Sequence, residues 1–517
     1  MIGPRAPGRL ESGRFDLAVI GGGVLGAFVA WDASLRGYRT ALIERDDFAC
    51  GTTSASGRVL HGGLRSLQHL AFRSAAESLR ERETLARLAP RLSIPLVFLF
   101  PAGAGVDPFL LRGAALAWRG VTSLRPDGLP AARFSGSEHD LPEPLRPWAP
   151  RGGLVVYDRQ LIAPERLVFG VLAAAADEGA VVVNRIEARR ILVRNGRVEG
   201  IRVRDRVAER DSELLADRVV NAAGPWAPDL WPARSGEPPT VTFARGVHVV
   251  ADIPPPAAAL GLPWREEDAG GRIRRARRLF VMPWAGATLI GASWEPMDSR
   301  PKEKLRPDPR EVGRFVDSVA ERWPDLGLDR SRVRHAVVGL YPRFGTDRLS
   351  PDSFQVSRHP LIVDHRGRGG PEGLITAIGV KLTTARAVAE RILDRFDAAG
   401  DRTRSGSLTA SHGPLESATP ASIPQLGFEA VTEPRLAADL ARTAIESEQA
   451  LSLADLFLRR SVAGQFGIPA REVLEAAGAE LSRGLGWPVD RVATEVREYE
   501  SRHVFIVPDR TETGESS

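Results

Sequence analysis

The 517 residues can hold two or three domains with sizeable cores, and 70 basic against 65 acidic residues leave a formal charge of +5. The basic residues are spread along the chain without aromatic interleaving. That disfavours nucleic acid and leaves anionic substrates or lipid headgroups open. No run of 18 apolar residues occurs, so no spanning helix is expected, and Cys50 as sole cysteine rules out a disulfide within the chain and fits the cytoplasm.

Met1 to Arg14 reads as a disordered tail. Phe15 to Ile20 is an apolar run of strand length, followed by Gly21, Gly23 and Gly26 at the spacing G-x-G-x-x-G. Small apolar residues of helical character run from Ala27 to Leu35, Gly37 stops them, and Arg39 to Ile43 reads as a second strand ending at Glu44. The three glycines serve different needs, in order the tight turn, close approach of backbone to a pyrophosphate, and close packing of helix on strand. The helix N-terminus offers free N–H groups to phosphates, and Glu44 lies where the acid that takes the ribose hydroxyls is expected. Strand, glycines, helix, strand and acid in that order predict a dinucleotide site. An acid at this position disfavours a 2′-phosphate.

Residues 46–67 carry hydroxyls and glycines suited to a loop around a phosphate and a flat ring. Leu67 to Leu88 reads as helical, and residues 90–150, rich in Pro and Gly, as an excursion with a helical Leu110 to Trp118. A helix opens at Pro164, and strands follow at Ala180 to Val183, Ala188 to Val193, Val198 to Val203 and Arg218 to Ala223. Residues 240–360 alternate apolar and polar side chains and carry one amphipathic helix, Arg310 to Arg322, which predicts a second domain built on a sheet. A strand over Leu374 to Ile378, then Gly379, Lys381 and a helix from Leu382, return to the first domain. Lys381 is one of only three lysines in a chain that otherwise uses arginine, so its compact ammonium group stands out at a helix start. Residues 398–424 read as a linker, and residues 428–503 as helical throughout. The nine histidines show no metal-ligand spacing, and no metal is expected.

Several stretches together resemble the FAD-dependent, quinone-linked glycerol-3-phosphate dehydrogenases. They are VIGGGVLGA (19–27), TTSASGRVLHGGLRSL (52–67), FRSAAESLRERETL (72–85), VVNAAGPWA (219–227), GVKLTTARAVAE (379–390) and ESEQALSLADLFLRRS (446–461). The resemblance implies a noncovalent FAD. It also implies an α/β fold: a Rossmann-type FAD-binding domain plus a β-sheet substrate domain of the glycine/D-amino-acid oxidase type, with an all-α C-terminal domain. The expected division is 14–90, 151–228 and 361–397 for the FAD-binding domain and 91–150 with 229–360 for the substrate domain. Residues 398–424 then link to a helical domain at 425–517.

Carried over by position, Gly21, Gly23, Gly26, Glu44 and Arg45 would hold the ADP half. Thr52, Thr53 and Ser54 would follow the pyrophosphate and ribityl chain, with Ala223 and Gly224 near the dinucleotide. Gly379, Leu382 and Thr383 would bring a helix N-terminus to the flavin, where its dipole favours an anionic reduced ring. Arg65, Arg358 and Lys381 would bind the substrate anion and the reacting carbon's oxygen, and His248 matches a family histidine. Four departures fall in the pocket. Ser66 stands where the family has Tyr, and Tyr341 replaces an Arg, with Arg343 nearby. Val380 replaces a Gly, and Trp294-Glu295 stands for Thr-Asp.

The expected function is oxidation of sn-glycerol 3-phosphate to dihydroxyacetone phosphate by hydride transfer to flavin N5. Arg65 and Arg358 would anchor the substrate, Lys381 or a neutral His248 would polarise or deprotonate the hydroxyl, and a quinone would take the electrons. Two alternatives stand beside it: an FAD enzyme for another anionic hydroxy compound or an amino acid, and an inactive flavin-binding interaction protein. The expected location is the cytoplasm or the inner face of the cell membrane.

Overall fold

A computed structural model describes residues 1–63, 72–102, 132–236, 241–267, 273–297, 306–344, 359–398, 408–415 and 432–502, with five further positions between 112 and 118. Two large sheets face each other across a shared apolar core. The first runs in the order Leu361–Asp364, Leu374–Ile378, Val219–Asn221, Leu17–Ile20, Thr40–Ile43, Val181–Val183. All neighbours are parallel except Leu361–Asp364, which is antiparallel. A parallel sheet must be covered on both faces, which is why its strands read as unbroken apolar runs. On one side Leu17 and Val19 pack in a core with the helices Val24–Leu35, Pro164–Asp177 and Ala385–Ala398. On the other, Ala18 and Ile20 meet the antiparallel meander Ile186–Arg194, Arg197–Asp205 and Arg210–Leu215 through Ile191, Ile201 and Leu214.

The second sheet has nine strands. Eight run in the order Val333–Phe344, Val241–Ala251, Ala287–Met297, Ile273–Trp284, Ala259–Glu267, Ser93–Pro101, Gly153–Leu161, Val59–Leu60, and Arg133–Ser135 pairs with Gly153–Leu161. Its outer face buries Val247, Val249, Leu260 and Ile290 under the helix Pro309–Arg322 through Val312, Phe315, Val316 and Val319. Asp308 caps that helix on the Arg310 N–H at 2.9 Å, and Pro309 opens it, so its start is set locally.

Several expectations are corrected. The first residues are not a loose tail. Pro7–Glu11 forms a 3-10 turn, Leu10 is buried, Arg5 pairs with Asp205 at 2.7 Å, and the Gly3 N–H donates to the Ser447 carbonyl. Low local periodicity hid contacts that are all long-range. Gly153–Leu161, expected with the FAD-binding domain, pairs instead with Ser93–Pro101 in the second sheet, because an apolar run does not encode which sheet it joins. The C-terminal region is helical but interrupted. Pro434–Glu448 ends at Gln449, with φ +57°, and residues up to Arg471 hold only the short pieces Leu453–Asp455, Leu456–Arg460 and Ala463–Gln465; Arg471–Leu485 and Val489–Ser501 follow, parted by a turn at Gly486. Within the expected linker, Leu408–Ser411 is a short helix and Leu415 is buried, its N–H bonded to the Leu88 carbonyl. Residues 110, 111, 114 and 117 of the expected Leu110 to Trp118 helix, and residues 67–71 of the expected Leu67 to Leu88 helix, lie outside the described residues; the rest of the latter is Phe72–Leu88.

Candidate functional site

Two of the three motif glycines, Gly21 and Gly26, have no room for a side chain. A Cβ on Gly26 would lie 1.9 Å from the Gly21 carbonyl oxygen, and one on Gly21 would lie 2.6 Å from the Ala222 oxygen. Gly21 also sits at φ +106°, which L side chains avoid. Strand, turn, helix and the Ala222–Ala223 strand end are therefore locked at backbone distance. The helix Val24–Leu35 starts at Gly23 without a side-chain cap, and Thr53 Oγ1 accepts the Val24 N–H at 3.2 Å. That places the expected Thr53 at the helix N-terminus, where orphan N–H groups and the dipole favour phosphate.

Glu44 sits at the end of Thr40–Ile43. Its Oε2 accepts the Gly22 N–H at 2.7 Å and its Oε1 the Asp46 N–H at 2.8 Å. Each oxygen keeps a further lone pair, the geometry a pair of ribose hydroxyls requires. Burial pushes the Glu44 carboxyl up and Asp46 adds to it, while the two N–H donors pull it down. Arg45 stacks on Trp226 at 5.2 Å, and the Trp226 ring lies 3.6 Å from where a Cβ on Gly51 would be. Thr52 Oγ1 donates to the Leu340 carbonyl at 3.2 Å and Ser54 Oγ to Gly51 at 3.0 Å, so the loop 50–57 is pinned against the second sheet. A cleft between them is lined by Cys50, Thr52, Trp226 and Gly339. Gly224, at φ +58°, starts a 3-10 turn beside it. These residues fit a dinucleotide: a side-chain-free turn, a helix N-terminus and an acid with free lone pairs converge on one edge of the parallel sheet.

Residues of Val241–Ala251 alternate faces, with Val247 and Val249 outward and His248 toward the loop. His248 is buried, and its Nε2 lies 3.5 Å from the Cβ position of Gly57. Its Nδ1 has no hydrogen-bond partner among the described residues. Burial, with the Arg58 cation adding, holds its pKa down to about 4, so the ring is neutral. On the neighbouring strand Gly339 lies against Ala55, and Tyr341 meets Trp294 edge-on at 4.3 Å. Burial pushes the Tyr341 hydroxyl up to about 12. Arg343 follows on the same strand, opposite Thr242. Lys381 is exposed at the N-cap of the Leu382–Thr384 turn, shortly after Gly379 at φ +79°, and Thr383 behind it is buried. That turn packs beside Val59–Leu60, so Lys381 and the loop carrying Gly57 border one region. Arg65, Arg358 and Ser66 lie outside the described residues.

Arg58 does not stand out in the sequence, where it is one arginine among many. It is 2% exposed, pairs with Glu165 at 3.0 Å, donates to Gln465 at 2.6 Å and stacks on Trp284 at 4.3 Å. It thereby ties the flavin-side loop to the C-terminal helices beside His248. Arg58 lies in the family-like stretch 52–67, but nothing in the sequence marks its pairing, because its partners lie 107 and 407 positions away.

The family model for FAD dependent oxidoreductases (DAO) matches residues 16–395. A glycerol-3-phosphate dehydrogenase of Synechocystis sp. is 31% identical over 402 residues, 75% of this chain and 70% of that protein. An aerobic glycerol-3-phosphate dehydrogenase of Staphylococcus saprophyticus is 29% identical over 395 residues, 74% of this chain and 67% of the relative. Among solved structures, glycerol-3-phosphate dehydrogenase from Bacillus halodurans complexed with FAD superposes with a TM-score of 0.70, 22% identity and 99% of each chain covered. Glycine oxidase from Geobacillus kaustophilus matches with a TM-score of 0.53 and 22% identity, over 76% of this chain and 97% of its own.

Proposed function

Because this chain belongs to the FAD-dependent oxidoreductase family, we propose that it oxidises sn-glycerol 3-phosphate to dihydroxyacetone phosphate. The likeness to relatives of that name across three quarters of the chain carries the substrate. FAD, when bound, supplies the two-electron oxidation. Transfer of the electrons to a quinone at the inner membrane face belongs to the same proposal and rests on the resemblance of HGGLR and GVKLTT. Among the described residues no helix is long and apolar enough to cross a membrane.

The chain's own residues do three things in this scheme. Gly21 to Gly26, Glu44 and Thr53 would hold the cofactor at the C-terminal ends of the strands Leu17–Ile20 and Thr40–Ile43. Arg65, Arg358 and exposed Lys381 meet the substrate's anionic end and its hydroxyl oxygen. His248, neutral and buried, takes the hydroxyl proton on Nε2 as the adjacent C–H bond gives up its electron pair. An unprotonated imidazole is ready for that role without a prior deprotonation.

The Tyr341–Trp294 pair favours a second reading, oxidation of a different anionic hydroxy compound on the same scaffold. Anaerobic titration of the purified protein with sn-glycerol 3-phosphate separates the two. Saturable bleaching of the oxidised flavin is the expected result. A flavin that stays yellow with this substrate but bleaches with dithionite refutes the first reading and supports the second.

A further inference from the structure

Asp47, in the loop just after Glu44, is 1% exposed, and three side chains converge on its carboxylate. Oδ1 accepts the Asn184 amide at 3.1 Å, while Oδ2 accepts Arg459 Nε at 2.6 Å and Arg460 Nη1. Both arginines end the π-helical turn Leu456–Arg460 of the C-terminal region. Consecutive side chains on an α-helix diverge by about 100°. The wider turn lets both reach one oxygen, and such turns often mark functional positions. Other bonds hold each arginine in place: Arg459 Nη2 donates to Asp455 at 2.6 Å and Arg460 Nη2 to the Glu448 carbonyl. Against the burial that would raise it, Arg185, Arg459 and Arg460 keep Asp455 well below the usual carboxylate range.

The segment that Asp47 anchors grips the glycine turn. Glu44 accepts the Gly22 N–H, the Ala49 N–H donates to the Gly22 carbonyl at 2.9 Å, and a Cβ on Gly22 would lie 2.6 Å from the Phe48 ring. The Gly22 peptide is thus fixed on both sides by residues 44–49, and those residues are fixed by Arg459 and Arg460.

We propose that Arg459 and Arg460, acting through Asp47, are positioning residues for FAD, so that the C-terminal helices set how tightly the adenosine side of the cofactor is held. This rests on membership of the FAD-dependent family and is independent of the substrate. A plain domain-docking role makes a different prediction, because the same interface contains a second buried pair, Arg166 with Glu448 at 2.8 Å. That pair does not involve the loop 44–49.

The test is FAD release from full-length holoenzyme on dilution, followed by the recovery of flavin fluorescence, beside the melting temperature of each variant. Asp47→Asn keeps the shape and removes the charge that both arginines bind; release is expected to quicken by about tenfold or more. Arg166→Met leaves Glu448 within 4.0 Å of Arg460 and is expected to lower the melting temperature while releasing FAD at the parental rate. Parental release from Asp47→Asn, or equal acceleration in both variants, overturns the proposal. Should Asp47→Asn fail to fold, Arg459→Lys keeps the charge and shortens the reach. Faster release from that variant is expected, and a parental rate overturns the proposal.

Discussion

Replacing Glu44 by glutamine tests the cofactor site at one atom pair. The two carboxylate oxygens accept the Gly22 and Asp46 N–H groups at 2.7 and 2.8 Å. Glutamine keeps the length but turns one acceptor into a donor facing an N–H. An unsatisfied buried donor costs ~1–3 kcal/mol. That cost falls on apoprotein and holoenzyme alike and is read as a lower melting temperature. The lost charge acts differently, since it weakens hydrogen bonds to the ribose hydroxyls only when FAD is bound. Bonds to a charged group contribute ~1.5–3 kcal/mol, so the Kd for FAD should rise roughly 10- to 100-fold. Titrating FAD into reconstitutable apoprotein and following the quenching of its fluorescence measures this directly. Because burial raises the Glu44 carboxyl, the parent should lose affinity as acid neutralises it, and the glutamine variant should not. An unchanged Kd beside a lowered melting temperature would mean that Glu44 only braces the turn, and the assignment would fail.

Lys381→Met should keep the flavin and its yellow colour yet lose substrate-driven reduction; unchanged reduction kinetics in stopped flow would remove Lys381 from the site. His248→Gln should slow anaerobic reduction by roughly 10²–10⁴-fold, and in the parent His248 should impose no acid limb near pH 6.5, because its ring stays neutral down to about 4. A limb at 6.5 that disappears in the variant contradicts this placement. His365 is buried between Ser235 and Thr376, each at 2.8 Å, and burial holds it down to about 4 despite Asp364. A histidine with a lowered folded pKa contributes its full share above pH 6.5 and loses it as pH falls toward 4, up to about 3 kcal/mol. Urea unfolding at pH 7 and pH 4.5 should show that loss reduced in His365→Gln, and an identical pH dependence in the two proteins rules the effect out.

The cofactor half of the site was legible because its chemistry is local. Gly21, Gly23, Gly26 and Glu44 lie within one strand-turn-helix-strand unit; backbone contact forces Gly21 and Gly26, and Glu44 takes its donors from Gly22 in the same unit and Asp46 just after it. The place of Lys381 at a strand-to-helix junction was legible for a different reason, as a scarce residue type between Leu374–Ile378 and the turn Leu382–Thr384, while its role belongs to the proposal. What sequence could not give is pairing at a distance. The choice of sheet for Gly153–Leu161 and the packed first residues depend on partners far along the chain, as do the bonds of Arg58 and Asp47 to the C-terminal turn. In an arginine-rich chain the side chains that join the units look like any surface charge until burial separates them.

The two halves of the site are therefore under different constraints. A substitution at Gly21 or Gly26 meets backbone at 2.6 or 1.9 Å and has nowhere to go. The face of the second sheet is more permissive. Tyr341 and Trp294 meet there across a strand whose small residues Ala244 and Gly246 lie opposite them, the Trp294 ring filling the space over Gly246. On the proposed reading the fold keeps its cofactor while the substrate side changes, and the departures from the family motifs at positions 294 and 341 meet on this one face. With Tyr341 where the family has an arginine, anion binding on that reading falls more heavily on Lys381, Arg65, Arg343 and Arg358. Substrate affinity should then fall more steeply with ionic strength than FAD affinity does, because the exposed Lys381 is screened and the buried Glu44 contacts are not.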